Sequence, residues 1–382
     1  MGKTAGTNGV QDSQQEIANA NLPRLRLFHV RDTASDYPLE DVSAQPWTAC
    51  TPQSVTDFSA VAYYFGRELL TKEDVPIGLI EADWGGTPAE AWTSLSALSS
   101  DPSLMPVFAA EAQMMGNEST VLLQQKKEQQ ETEEAKAEGK PLPKFHWRPD
   151  PNSWAPARLF NAMIAPLTPL PIRGVIWYQG ESSTDPLRAP VYAHLFQTLI
   201  SDWRTQWKQG DFPFLFVQIA NFRPGTDWPP VREAQRKALA LRNTGMAVTI
   251  DIGDPDNVHP TDKKDVGHRL ALWARALSYG EKVEDSGPLF QEAVPMGAQM
   301  RVWFDHAQSG LVSKGGGLRG FEVAGSDGRF VPAKATIEGH TVLASSTDVP
   351  APVSVRYGWA ADPACNLYNG DGLPASPFTS EQ

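Results

Sequence analysis

Residues 247–260, Ala-Val-Thr-Ile-Asp-Ile-Gly-Asp-Pro-Asp-Asn-Val-His-Pro, begin with a strand-like run (Ala247 to Asp251) and empty into a loop closed by a proline. Behind Pro260, Val266, Leu270, Trp273 and Leu277 recur at helical spacing, which predicts a helix there. Strand, loop and helix in this order are the repeating unit of a parallel sheet covered by helices. The loop also holds Asp256 three positions before His259. An aspartate at that spacing can fold back to accept the imidazole Nδ1–H, which fixes the tautomer and frees Nε2 as a base. A turn aspartate beside a solvated histidine is the plainer reading of the same residues.

Working outward, the same alternation recurs. Residues 76–92 read as a short apolar strand that breaks at Gly85-Gly86, and residues 174–183 as a buried strand ending in Gln179-Gly180-Glu181. Glycines after a strand let backbone N–H groups approach a ligand closely. A side-chain amide at a strand end can add a second donor to an oxyanion, with a carboxylate to orient it. Leu25 to Val30 and Phe214 to Ala220 read as further strands; Tyr192 to Trp207 and Val231 to Leu241 read as helices. Ser54 is expected to cap a helix reaching about Leu70, and Trp154 to Pro166 to form a loop entering a helix. In that loop Asn161 has two open readings, a substrate contact and a backbone-bonding asparagine.

The charged, Gln-rich stretch from about 113 to 140 is expected to be a solvated helical insertion. After Pro288 the texture changes to short strands between turn residues, including Met300–Phe304, Leu318–Val323, Ala335–Glu338, Thr341–Leu343 and Val353–Tyr357. That spacing predicts a small β-sandwich-like domain over 286–382, following an α/β domain over 1–285. Trp303 and Trp359 are its candidate sugar-stacking rings.

At 382 residues the chain can bury a large core. Its net charge of −12 opposes binding to nucleic acid and to anionic membrane surfaces. No apolar run approaches the roughly 20 residues of a membrane span. Cys50 and Cys365 match no metal spacing, and a disulfide and two free thiols are equally compatible with them. No His, Cys and carboxylate spacing suggests a metal.

The Trp-Gly-Gly-Thr-Pro-x-Glu-x-Trp stretch at 84–92, Asn161 to Pro166, Val175 to Ser182, Gly253 to Pro260 and Asn366-Leu367-Tyr368 occur in an order that resembles the SGNH (GDSL-type) hydrolases, and within them the sialate O-acetylesterase family of carbohydrate esterases. The resemblance covers most of residues 15–380. It implies an SGNH-hydrolase-like parallel sheet flanked by helices, with Asp256 and His259 as triad acid and base. Gly85, Gly86 and Gln179 then form the oxyanion hole, and Glu181 and Asn161 support substrate binding. It also implies an acetylated carbohydrate as partner, no cofactor, and a periplasmic or secreted location. The oligomeric state stays open.

The family's serine lies in a Gly-Gln-Ser-Asn-Met segment that does not occur in these 382 residues. The chain is therefore expected to begin just after the nucleophile and to lack the first, central strand. Ser182, Ser183, Ser13 and Ser94 are poor substitutes, because an activated serine needs a base at hydrogen-bond distance. Two functions follow: a carbohydrate O-acetylesterase, with acetylxylan as a competing substrate, and a non-hydrolytic sugar-binding relic.

Overall fold

The computed structural model describes residues 9–116, 118–143, 145, 148–223 and 227–381. Its first 280 residues are α/β. Six strands, β1 (Leu22–His29), β2 (Thr48–Cys50), β3 (Ile77–Glu81), β4 (Val175–Trp177), β5 (Phe214–Val217) and β6 (Thr244–Ala247), alternate with helices. Among the helices are α1 (Ala60–Glu73), α2 (Glu118–Ala137), α3 (Tyr192–Trp207), α4 (Trp228–Lys237) and α5 (Lys263–Tyr279). The strands form two sheets rather than the single one expected: β2-β1-β3, with β1 and β3 parallel, and the all-parallel β4-β5-β6.

β5 and β6 are buried along their whole length, as continuous apolar runs in parallel sheets must be. One core layer gathers Trp177, Phe196, Trp203, Phe214 and Phe216, and another packs Leu215, Val217 and Ala247 under Leu270 and Trp273. Tyr192–Trp207 forms as its apolar periodicity predicts. Helices α1 and α5 cross closely at Gly267, where a Cβ would stand 2.6 Å from Tyr64 Cβ and 2.9 Å from the Phe65 backbone nitrogen.

Several boundaries differ from expectation for local reasons. Thr51, not Ser54, caps the first helix, Pro52–Val55, in a reciprocal capping box with Ser54, and Ser59 then caps α1. β6 ends at Ala247, where the expected strand begins, because its partner β5 ends opposite at Val217. Beyond it Thr249 donates to the Gln218 carbonyl and Asp251 pairs with Arg269 at 2.6 Å. The expected loop before Pro166 is a helical turn, Pro151–Trp154, followed by a π-helical segment, Phe160–Ile164.

The C-terminal region holds two four-stranded antiparallel sheets whose inner faces share one core of Val302, Val323, Val342, Val355, Tyr357 and Phe378. Arg232 ties it to the α/β part. This fully buried guanidinium donates to the carbonyls of Ile219, Ala220, Ala360 and Ala361 at 2.7–2.9 Å. Cys50 and Cys365 are both free thiols.

Candidate active site

Gly85-Gly86 follow β3, Gln179 and Glu181 follow β4, and Asp256 and His259 lie in the loop after β6, on the carboxyl side where parallel α/β sheets place their ligands, whereas Asn161 precedes β4 in a π-helical segment. After β3 the chain turns at Gly86, whose φ of +79° favours glycine. Thr87 stiffens the turn by donating to the Trp84 carbonyl at 2.7 Å and accepting from Trp92 Nε1 at 2.9 Å. After β4, Gln179 and Ser182 reach this turn directly. Ser182 Oγ donates to the Gly86 carbonyl at 2.8 Å, and Gln179 Nε2 to the Thr87 carbonyl at 3.3 Å.

Gln179 is therefore beside Gly86, but its amide is engaged. Nε2 also donates to Ser183 Oγ at 3.1 Å, and Oε1 accepts from the Tyr192 hydroxyl at 3.1 Å. Both of its N–H groups point at protein acceptors, so in this state it fastens the two loops together. An oxyanion could draw on it only by displacing one of those acceptors.

The loop after β6 departs most from the sequence reading. No hydrogen bond or ion pair joins Asp256 to His259. The Asp256 carboxylate is exposed and pairs with Arg223 at 2.9 Å. The reason is local: Asp254 accepts from the Asp256 backbone N–H at 2.9 Å, and the resulting turn swings the next carboxylate outward. His259 is held only through its backbone, which donates to Asn257 Oδ1 at 3.0 Å. Asn161 follows the second of its two readings. It is buried, and its amide donates to the Ser35 carbonyl at 3.1 Å, while its own carbonyl accepts from Leu39.

Sequence reasoning missed two groups here. Lys263, the first residue of α5, places its ammonium 4.9 Å from the centre of the Tyr178 ring. Burial pushes its pKa down to about 8, against the opposing pull of Glu181 and Asp262. Burial raises Glu181, with Lys263 opposing. Burial of the imidazole, and then the Lys263 charge, lower the pKa of His259, which keeps the ring neutral and basic near pH 7. Lys263 thus links the β4 and β6 loops electrostatically.

The second group is a buried ion pair behind the Gly86 turn. Arg188 Nε donates to Glu90 Oε1 at 2.6 Å, with Asp185 at 3.2 Å and the Trp154 ring 4.9 Å from the guanidinium carbon. Its signal in the sequence was the Glu-x-Trp that follows Gly-Gly-Thr-Pro.

Residues 139–275 match the family described as carbohydrate esterase, sialic acid-specific acetylesterase. Sialate O-acetylesterase from Mus musculus is 30% identical over 429 residues, covering 99% of this chain and 76% of that protein. The Homo sapiens protein of that name is 30% identical over 410 residues, covering 96% and 71%. The chain belongs to the sialate O-acetylesterase family. A solved carbohydrate acetylesterase from Xanthomonas citri superposes with a TM-score of 0.83 at 38% identity, covering 98% of this chain and 77% of that one. The residues that carry the sialate O-acetylesterase match therefore include the β4, β5 and β6 loops and α5.

Proposed function

We propose that this protein is a carbohydrate esterase that removes O-acetyl groups from acetylated sugars, and that residues 1–285 form an SGNH-hydrolase-like domain followed by a β-rich domain over 286–382. The observation that carries the reading is the hydrogen-bonded meeting of the loops that follow β3 and β4, at Gly86 and Gln179, with the Lys263 ammonium over Tyr178 and beside His259. In this reading His259 is the general base. The Gly85-Gly86 backbone stabilises the oxyanion, and Gln179 holds that backbone in place. Asp256 becomes the triad acid only if the turn at Asp254 releases it from Arg223. The location proposed, from the family resemblance, is periplasmic or secreted.

None of the nearby serines is placed as a nucleophile. Ser182 is donated to Gly86, Ser183 is buried on Gln179, and Ser94 bonds Asp202 at 2.8 Å. Among these serines, then, the base and oxyanion site of this reading have no activated hydroxyl. The Asp256–Arg223 pair and this arrangement favour a second reading, a sugar-binding protein without turnover.

The test is to assay the 382-residue chain on p-nitrophenyl acetate and on an acetylated sugar, beside His259→Ala. The expected rate is at most roughly 10³–10⁴-fold over water, the residue of catalysis that survives loss of a triad serine. Strong turnover abolished by His259→Ala would show that a serine inside the chain acts as nucleophile. Saturable binding of the acetylated sugar without turnover supports the second reading.

A further inference from the structure

The parallel pairing of β1 with β3 sets His29 directly beside Glu81 at the ends of the two strands, and Asp83 follows two residues on. One ligand atom from each of the three lies within 4.8 Å of the others. His29 Nδ1 is 3.1 Å from Glu81 Oε2, yet the two do not form a hydrogen bond, and Oε2 is buried without any donor. Glu81 as a whole is 7% exposed. The two atoms stand at ion-pair distance with no hydrogen bond between them, so both face a point where a single cation would touch each. Two ligands bound tetrahedrally at about 2.0–2.1 Å from a zinc ion stand about 3.3 Å apart, close to the spacing seen.

We propose that His29, Glu81 and Asp83 bind a divalent transition-metal ion, best matched by Zn²⁺, with an open position toward solvent. One imidazole with two carboxylates is a donor set that suits zinc, and His29 is exposed enough for an ion to enter. A second cluster, Glu284, Asp285 and His306, supplies the contrast. There His306 Nδ1, the nitrogen that faces the carboxylates, is already hydrogen-bonded to Glu284 at 2.6 Å.

The site is independent of the esterase reading and is tested without substrate. The chain is stripped with a chelator, and Zn²⁺ uptake is followed by competition with a chromophoric chelator. One equivalent per chain is expected. Glu81→Gln and Asp83→Asn should each weaken uptake by more than about tenfold, and Glu284→Gln should leave it unchanged. Absence of uptake, or uptake indifferent to both β3 variants, overturns the proposal. Should either variant misfold by circular dichroism, X-ray absorption at the zinc edge of the unaltered protein decides. One imidazole with oxygen neighbours supports the site; sulfur or several imidazoles refutes it.

Discussion

Arg188→Met removes the cation from a pair whose side chains are 7% and 0% exposed, at 2.6 Å. With an effective dielectric of about 20, unit charges about 3 Å apart attract by roughly 5 kcal/mol. Removing one partner of such a buried pair typically costs about 3–5 kcal/mol, and the upper half is expected here because Glu90 has no other cation. Glu90 escapes by taking up a proton. Its pKa is already raised by burial, with Arg188 opposing, and loss of Arg188 lets it climb further. A carboxyl whose folded pKa lies above its unfolded value contributes stability below the unfolded pKa and loses it as pH rises through the folded one. The deficit of Arg188→Met, measured by equilibrium urea unfolding, should thus be smaller at about pH 5 than at about pH 8. Adding Glu90→Gln should recover part of it. A loss under about 1 kcal/mol, or one equal at both pH values, would refute the argument, since packing alone is indifferent to pH.

Arg232→Met withdraws one donor group from four carbonyls at the junction with the C-terminal region, two of which keep Trp228 Nε1 and the Phe222 N–H, and should cost about 1–3 kcal/mol by the same urea measurement. Gly267→Ala forces a methyl to within 2.6 Å of Tyr64 and should cost at least about 1–3 kcal/mol, read as a lowered melting temperature. Lys263→Met should move the His259 pKa up toward the ordinary histidine value, checked by NMR titration of the ring; an unmoved pKa would remove Lys263 from the site's electrostatics.

Local signals were the legible ones. The apolar period over Tyr192–Trp207 and the glycine break after β3 each depend on neighbours in the chain, and both stand as read. Side-chain direction depends on more. Asp256 sits at the right spacing from His259, but the turn set by Asp254 and the reach of Arg223 decide where its carboxylate goes. Gln179 lies where its motif indicates, yet only the fold reveals that Thr87, Ser183 and Tyr192 already occupy its amide. His29 and Glu81 are brought together by strand register, which leaves no spacing to find. The strand Leu289–Met296 escaped because it is largely exposed and carries Pro295, which blurs the alternation.

Because β1–β3 and β4–β6 lie in separate sheets, no strand-to-strand ladder couples the two halves of the α/β part. Each half is built from its own stretch of chain, and such stretches tend to open as separate cooperative units. Their largest helix-to-helix contact is the crossing of α1, laid on β3, with α5, laid on β6, at Gly267, beside the Gln179 and Ser182 bonds to the Gly86 turn. Amide hydrogen exchange should accordingly sort the strands into two protection classes. Loosening that crossing should widen the difference between them.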